Sequence, residues 1–193
     1  MATNTTELLT QLLSSDALAG IAKATGATNK DVSGVLAAAL PALLKGATSQ
    51  STSATTAESF AKALASHANE DTSNLSSFFK NVDLTDGAKI VGHLLGAKDT
   101  TAETASKKTG IDAKTVKVIM AAAAPLLMSL LGKQTKAKTS NSADVLKAAT
   151  SLLGKTDVAS IATLLLGGKK SGIDLTDGID AKDVIGIVGK LIK

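Results

Sequence analysis

The residues of this sequence that could do chemistry are few and widely spaced. Histidine is the side chain whose charge ordinarily changes near neutral pH, and the chain has two, His67 and His93. His93 lies between apolar neighbours in a predicted helix, which indicates a packed or half-exposed residue rather than a base. Serine and threonine are abundant, but they lie in polar connecting stretches without a nearby base to activate them. We therefore predict no catalytic residue, and we expect the protein not to be an enzyme.

Metal and cofactor sites are equally hard to place. There is no cysteine to form a thiolate site. Residues 174–183 (DLTDGIDAKD) mix aspartate with glycine, but an EF-hand loop needs oxygen ligands at its positions 3, 5 and 12. Counted from Asp174, those positions hold Thr176, Gly178 and Ile185. The sequence GGKKS at 167–171 lacks the first glycine of a phosphate-binding loop. We predict no metal and no cofactor.

The elements that carry these residues are predicted to be helices. Hydrophobic residues make up 44% of the 193-residue chain, yet there is no Trp, no Tyr and only three Phe. Alanine and leucine, which supply much of the apolar content, rank among the best helix formers because their side chains lose little entropy in a helix. The composition therefore predicts an all-α fold, a helical bundle.

The charge does not point to nucleic acid as a partner. The formal net charge is +4, and the basic residues are lysines with no arginine among them. Arginine is the preferred side chain for two-point contacts with phosphate and guanine. Ala22, Gly26 and Val32 have the spacing of a helix-turn-helix, but the helix that follows is too apolar to lie in a groove. We expect solvated lysines and no nucleic-acid partner.

The sequence also favours a cytoplasmic protein. The first fifteen residues lack the basic region and long apolar core of a secretory signal. The longest apolar run, residues 118–131, is shorter than the roughly 20 residues that span a bilayer. We expect a buried core helix here, no transmembrane segment and a cytoplasmic location.

Two stretches of the chain resemble each other. Residues 110–132 (GIDAKTVKVIMAAAAPLLMSLLG) form the more apolar one, and residues 26–46 (GATNKDVSGVLAAALPALLKG) precede it. The separation between Gly26 and Gly110 is the same as that between Pro41 and Pro125. Without a gap, the two stretches also share Lys30 and Lys114, Val32 and Val116, Leu43 and Leu127, and three alanines before each proline. The pattern predicts two pseudo-symmetric repeats, each a short helix, a glycine turn and a long helix that its proline kinks.

The boundaries of these helices are predicted from capping residues. Thr28 and Asp31 have the spacing of a capping box, and Gly46 and Gly132 are expected to end the two long helices. A helix ending at Leu95 is expected to begin at Thr85 or Asp86. The three alanines before each proline allow close approach of another helix. The two long helices are expected to contact each other or to occupy equivalent places.

We predict a single helical domain over residues 1–170, followed by a separate tail. Within the domain, repeat 1 spans about 5–46, repeat 2 about 85–132, and a helical hairpin 143–166. Residues 47–56 and 133–142 are polar and are expected to be flexible connectors. Residues 171–193 comprise an Asp/Gly turn and a C-terminal amphipathic helix with a single apolar face, formed by Val184, Ile187, Val188 and Leu191. Two glycines weaken this helix, so we expect it to need a partner surface, in cis or in trans.

Three elements carry a resemblance to a known family. They are Thr25-Gly26 with 40–44 (LPALL), Thr109-Gly110 with 124–128 (APLLM), and 90–96 (IVGHLLG) between them. Over about residues 5–170 the chain resembles DUF937, a bacterial family of unknown function that is related to the YidB-like proteins. The resemblance implies a helical bacterial protein without an established activity, and it supplies no catalytic residue.

The sequence is compatible with two functions. The first is a non-enzymatic interaction or structural protein that self-associates, with a homo-oligomer or a protein partner bound through the C-terminal helix. The alternative is a binder of a small apolar ligand or lipid in a groove between the kinked helices. The residues singled out are structural ones: Gly26, Pro41, Gly110 and Pro125.

Overall fold

A computed structural model describes residues 5–97, 99–136 and 142–154 of the chain. All the regular structure in these ranges is α-helical, which confirms the predicted all-α class. The helices are α1 (Thr5–Leu12), α2 (Ser15–Thr25), α3 (Asn29–Thr52), α4 (Ala57–His67), α5 (Leu75–Lys80), α6 (Leu84–Leu95), α7 (Thr101–Thr109), α8 (Ala113–Lys136) and α9 (Ser142–Gly154).

Helix α8 is the centre of the bundle. It is apolar all round, and a helix of this kind must be buried on every side. Every residue from 119 to 132 is buried. Helices α1, α2, α3, α4, α6, α7 and α9 all pack against it. The stretch that the sequence marks as the most apolar is therefore the core around which the other helices are arranged.

Two corners of the chain have the same local geometry. Helix α2 ends at Gly26 and helix α7 ends at Gly110, and both glycines adopt the left-handed conformation with φ of 73° and 76°. In each corner a threonine one residue earlier donates its hydroxyl to the carbonyl four residues back, at 2.8 Å. Because only glycine adopts positive φ at little cost, these two positions permit the sharp turn into α3 and α8.

The two long helices also begin with the same pair of side chains in opposite order. Thr28 caps α3 and Asp31 completes the capping box, as the spacing predicts. At the start of α8, the carboxylate of Asp112 accepts from the backbone N–H and the hydroxyl of Thr115. These hydrogen bonds lower the pKa of Asp112, the hydroxyl of Thr115 making the largest contribution. Both starts thus satisfy backbone donors that a helix leaves free.

The prediction that Gly46 and Gly132 end their helices is wrong. Helix α3 continues to Thr52 and α8 to Lys136. A Cβ placed on Gly46 would meet the backbone carbonyl of Leu94, and one on Gly132 would meet that of Leu64. At both positions the backbone of a neighbouring helix lies too close to leave room for a side chain. The glycines are therefore needed for helix packing and do not mark the end of a helix.

Gly87 brings α6 against α8 in the same way. A Cβ at this position would overlap the carbonyl group of Ala121. That carbonyl is the one that Pro125, four residues later, cannot bond because proline has no N–H.

Pro41 and Pro125 both lie inside continuous helices and are buried. The kink at each proline stays a prediction.

Other predicted boundaries change as well. The connector predicted at 47–56 is mostly helix, since α3 takes up residues 47–52, and the first repeat therefore extends beyond residue 46. The cap of α6 is Asp83 rather than Thr85 or Asp86, because its carboxylate accepts from the N–H groups of both. Residues 133–136 of the second predicted connector belong to α8. The rest of that connector up to residue 141, the second half of the hairpin and residues 171–193 lie outside the described residues.

Two helices have the length and composition of membrane spans. Residues Asn29–Thr52 and Ala113–Thr135 contain windows with mean hydropathies of 1.3 and 1.8. Most of each window is buried inside the bundle. Core helices of soluble proteins have the same length and composition, so these two helices are weak evidence for a membrane location.

The close contact at Gly87 yields a stability prediction. We expect Gly87→Ala to lower the free energy of unfolding by about 1–3 kcal/mol, because the added methyl group overpacks the contact with α8. Gly92 in the same helix is the matched control, since a Cβ there meets no atom within 4 Å. Gly92→Ala is expected to raise the free energy of unfolding by up to about 1 kcal/mol. Urea unfolding measures both, and equal effects of the two substitutions would contradict the close contact.

Candidate functional site

A polar network joins α4, α6 and α8 at one side of the core. His67 is the last residue of α4, and its Nδ1 lies 2.7 Å from Oε1 of Glu70 in the loop that follows. Its Nε2 lies 3.8 Å from Oδ2 of Asp86, in the first turn of α6. The other carboxylate oxygen of Glu70 accepts a hydrogen bond from the hydroxyl of Ser129 in α8. One carboxylate therefore connects a histidine to a serine of the central helix.

Ser129 explains why this network exists. It is the one polar residue in the apolar run 118–131, and it is fully buried. A buried hydroxyl without a partner costs about 1–3 kcal/mol. Glu70 supplies the partner, and one turn later Lys133 Nζ donates to the hydroxyl of Thr72 at 2.6 Å. The loop between α4 and α5 is thereby fastened to α8 at two points.

An acidic hollow of about 380 Å³ lies beside this network. Its walls include Pro125, Phe78 and four carboxylates, those of Glu70, Asp71, Asp83 and Asp86. The hydroxyl and backbone N–H of Ser73 lower the pKa of Asp71. The backbone N–H groups of Asp86 and Thr85 lower the pKa of Asp83. Both carboxylates are therefore ionised at neutral pH and held by their own loops.

The polar network of His67, Glu70 and Ser129 has the features of a structural network. Ser129 is sealed in the core, so its oxygen is closed to a substrate, and its hydrogen bond goes to a carboxylate rather than to the histidine. Among the described residues, no three His, Cys, Asp or Glu side chains are arranged to hold a metal ion. The network is best explained as the means by which a polar residue is accommodated in α8.

An apolar cavity of about 330 Å³ lies between the end of α3, α4, α6 and α8. Its walls are formed by five apolar side chains: Phe60, Ala63, Ile90, Leu94 and Met128. Gln50, Ser59 and His93 lie among its polar lining residues. The side-chain amide of Gln50 donates to the backbone carbonyl of His93 at 2.6 Å, which ties the end of α3 to the end of α6. The cavity has the size and the apolar character of small-molecule sites.

A wider groove of about 720 Å³ runs between α2 and α5. Phe79 packs against Gly20 at its base, where a Cβ on the glycine would meet the ring. Lys23, Lys80 and Asp16 stand at its edges and are exposed. Lining residues of both charges and the hydroxyl groups of Ser73 and Ser76 give this groove no single chemical character.

One side of α6 carries an apolar strip that is partly exposed. Leu84, Val91 and Leu95 are half-buried, and Ala88 is exposed. These four residues, the α6 stripe, are spaced by four, three and four positions and so lie on one side of the helix. The neighbouring side of the helix, formed by Gly87, Ile90 and Leu94, is buried in the core. Leu84, Val91 and Leu95 themselves pack partly against the core.

The residues singled out from the sequence are not brought together into a site. Gly26 and Gly110 lie at the two corners, Pro41 is buried in α3, and Pro125 borders the acidic hollow. The expectation that His93 is packed or half-exposed is wrong, because it is exposed. The aspartates of 174–183 and the GGKKS sequence lie outside the described residues.

The network around His67 was not predicted. Its signal in the sequence is Ser129, a polar residue alone in an apolar helix, which must find a partner when it is buried. The sequence does not show that the partner is Glu70, because Glu70 is distant from Ser129 in the chain and lies in a loop.

Comparisons with known proteins identify a family and nothing more. The model of DUF937, described as a bacterial protein of unknown function, matches residues 7–134. This range runs from α1 to near the end of α8 and contains the whole polar network. No curated protein and no solved structure matches the chain.

The bond between Ser129 and Glu70 can be tested by a double-mutant cycle. We expect Ser129→Ala to lower the free energy of unfolding by about 1–3 kcal/mol, because the carboxylate of Glu70 loses a donor inside the protein. In a Glu70→Ala background, where the acceptor is absent, the same substitution is expected to cost less. Urea unfolding of the four proteins gives the coupling energy, and a coupling below about 0.5 kcal/mol would show that the two side chains act independently.

Proposed function

The chain belongs to the DUF937 family of bacterial proteins of unknown function, and we propose that it is a non-enzymatic helical protein that acts by binding proteins. Its first partner is a second copy of itself. The observation that carries this proposal is the α6 stripe, a partly exposed apolar strip beside the side of the helix that is buried in the core.

The α6 stripe has the geometry of a helix–helix contact. Its spacing of four, three and four residues is that of the apolar seam between two packed helices. Ala88 is small, and the neighbouring Gly92 is exposed with open space beyond it. A partner helix can therefore approach α6 closely at Ala88 and Gly92, as α8 does at Gly87 on the neighbouring side. Half-buried leucine and valine at its rim supply the apolar area that drives association.

A non-enzymatic role is favoured by the way the polar groups are used. Ser129 is sealed in the core, and His67 is occupied by Glu70. Two of the described carboxylates with lowered pKa values, Asp83 and Asp112, serve as helix caps. The lysine-rich surface lacks arginine, which favours a protein partner over nucleic acid.

We also propose that the bundle is built from two related units, with α2 and α3 in the first and α7 and α8 in the second. The bounds of α3 and α8 are shifted by the same number of residues as Gly26 and Gly110. Helix α2 packs against both α3 and α8, and α7 packs against both α8 and α3. This reciprocal packing supports a pseudo-twofold arrangement in which each short helix contacts the long helix of both units.

We place the protein in the cytoplasm. The absence of cysteine fits a reducing compartment, and the burial of α8 inside the bundle supports a role for it as a core helix.

Sedimentation equilibrium tests the self-association. We expect the wild-type chain to dimerise, and Ala88→Glu to weaken the dimer by at least tenfold in Kd, about 1.4 kcal/mol, because it places a charge in an apolar contact. Ala88 is exposed, so the substitution leaves the core intact. Lys89→Glu introduces the same side chain at the neighbouring exposed position off the stripe and is the matched control, with no change expected. A wild-type chain that stays monomeric at every concentration would contradict the proposal.

A second candidate function is the binding of a small apolar molecule, and the apolar cavity favours it. The cavity lies where the end of α3 meets α4, α6 and the part of α8 one turn after Pro125. Its volume of about 330 Å³ lies at the lower end of the range for ligand sites, roughly 300–1,000 Å³. The hydroxyl of Ser59 and the ring of His93 at its edge suit an apolar molecule with one polar end.

Calorimetric titration with octanoate tests this second function. We expect the wild-type protein to release or take up heat on binding and Ala63→Phe to abolish that heat, because the larger side chain fills the cavity. Ala65→Phe is the matched control, since residue 65 is exposed on the same helix. No heat with the wild-type protein, or the same loss in both variants, would rule out octanoate binding in this cavity.

A further inference from the structure

The polar lining residues of the apolar cavity lie together at one end of it. Helices α4 and α6 run antiparallel here, since His67 at the end of α4 lies 3.8 Å from Asp86 in the first turn of α6. The polar lining residues come from the end of α3, the start of α4 and the end of α6: Gln50, Thr56, Ser59 and His93. Farther along α4 and α6 the lining residues are Ala63 and Ile90. A molecule that fills the cavity therefore meets apolar side chains along its length and polar groups at this polar end.

Helix α4 begins at the polar end without a side-chain cap. Thr56 precedes its first residue and makes no capping hydrogen bond. The N–H of Ala57 donates to the carbonyl of Ser53, whereas the N–H groups of Glu58 and Ser59 have no acceptor among the described residues. The start of a helix also carries a partial positive charge. Two free donors and this charge thus lie at the polar end of the cavity.

Backbone carbonyl groups at the same end already have donors. The carbonyl of His93 accepts from the side-chain amide of Gln50 at 2.6 Å, and the carbonyl of Gln50 accepts from the hydroxyl of Thr56 at 3.3 Å. At the end of α6, the N–H of Gly96 donates to the carbonyl of Gly92. These three acceptors are satisfied, whereas the two donors of α4 are not. The polar end therefore favours a ligand that brings an acceptor.

The charged side chains around the polar end favour an anion over a cation. Glu58 does not line the cavity, and its carboxylate pairs with Lys62 at 2.7 Å. Among the described residues that line the cavity, His93 is the one with an ionisable side chain. Its imidazole is either neutral or positively charged. An anionic head group at this end meets donors and no opposing carboxylate in the lining.

We infer that the apolar cavity binds a single-chain amphiphile with a carboxylate head, and that this head lies at the start of α4. The carboxylate accepts from the N–H groups of Glu58 and Ser59 beside the ring of His93, and the hydrocarbon chain runs past Ala63. The volume of about 330 Å³ suits one short chain, since ligand sites range over roughly 300–1,000 Å³. This inference rests on the second proposed function and names the chemical class of its ligand.

Calorimetric titration of the full chain at neutral pH with three eight-carbon compounds tests the head group: octanoate, octan-1-ol and octylamine. We expect octanoate to bind with a Kd about tenfold below that of the other two, because a hydrogen bond to a charged acceptor contributes more than one to a neutral group. Equal affinities for octanoate and octanol, or tighter binding of octylamine, would overturn the inference while the cavity remains a ligand site. If none of the three compounds binds, the second proposed function fails as well.

The variant Thr56→Asp tests where the head lies. Aspartate at the position before the first helical residue offers its own carboxylate to the N–H groups of Glu58 and Ser59. We expect the preference for octanoate over octanol to fall by about tenfold. Ala65→Asp adds the same charge on an exposed part of α4 and is the matched control, with the wild-type preference expected. A preference that survives in Thr56→Asp would show that the head lies elsewhere, contrary to the inference.

Amide proton shifts of the wild-type protein give a readout that needs no variant. Octanoate is expected to move the amide proton resonances of Glu58 and Ser59 downfield, because both groups gain an acceptor, and octanol is expected to move them less. The methyl resonance of Met128, which lines the cavity, is expected to shift with both compounds. Octanoate that shifts the Met128 resonance but neither amide resonance would overturn the placement of the head.

Discussion

A helix that is apolar on every side must be enclosed by others, and the enclosure of α8 is the constraint on which the rest of the structure depends. Alanine forms much of its first half, so neighbouring helices approach it with little side-chain bulk between them. Gly87 of α6 lies against the carbonyl of Ala121, and Gly132 of α8 lies against the carbonyl of Leu64 in α4. Close-packed interiors tolerate little added volume, so these glycines set how near the helices lie.

The enclosure also explains the polar side of the molecule. Ser129 has no access to water, so its hydroxyl must find a partner among the surrounding elements. Glu70 provides it, and His67 holds Glu70 in turn. Helix α6 is pressed against α8 with one face and therefore presents its other face to the outside. The interaction surface that we propose is in this sense a consequence of the way the core is closed.

Much of this fold can be predicted from the sequence, because helices and their ends depend on neighbouring residues. The capping box of Thr28 and Asp31 and the left-handed glycines at Gly26 and Gly110 are local features that depend on neighbouring residues. Gly46 and Gly132 give the same local signal, a glycine after an apolar run, but they do not end their helices. Their role depends on Leu94 and Leu64, which belong to other helices, and no local pattern shows that contact.

The candidate sites were harder to predict than the fold for the same reason. Glu70 and Ser129 are far apart in the chain, and only packing brings them together. The apolar cavity arises where four helices fail to fill a space, which depends on their relative positions. The α6 stripe was visible only as part of a strongly apolar helix, because the sequence does not say which side of that helix α8 covers.

Amide hydrogen exchange of α8 shows whether the bundle is held together by the burial of this helix. If the bundle is organised around α8, the amides between residues 119 and 131 exchange only through global unfolding. Their free energies of opening then equal the free energy of unfolding measured with urea. Helix α7, in which Ala102 and Ala105 are the buried residues, is expected to exchange through smaller openings. Amides of α8 that open at a free energy well below the global value would contradict this account, because α8 could then separate from the bundle while the rest stays folded.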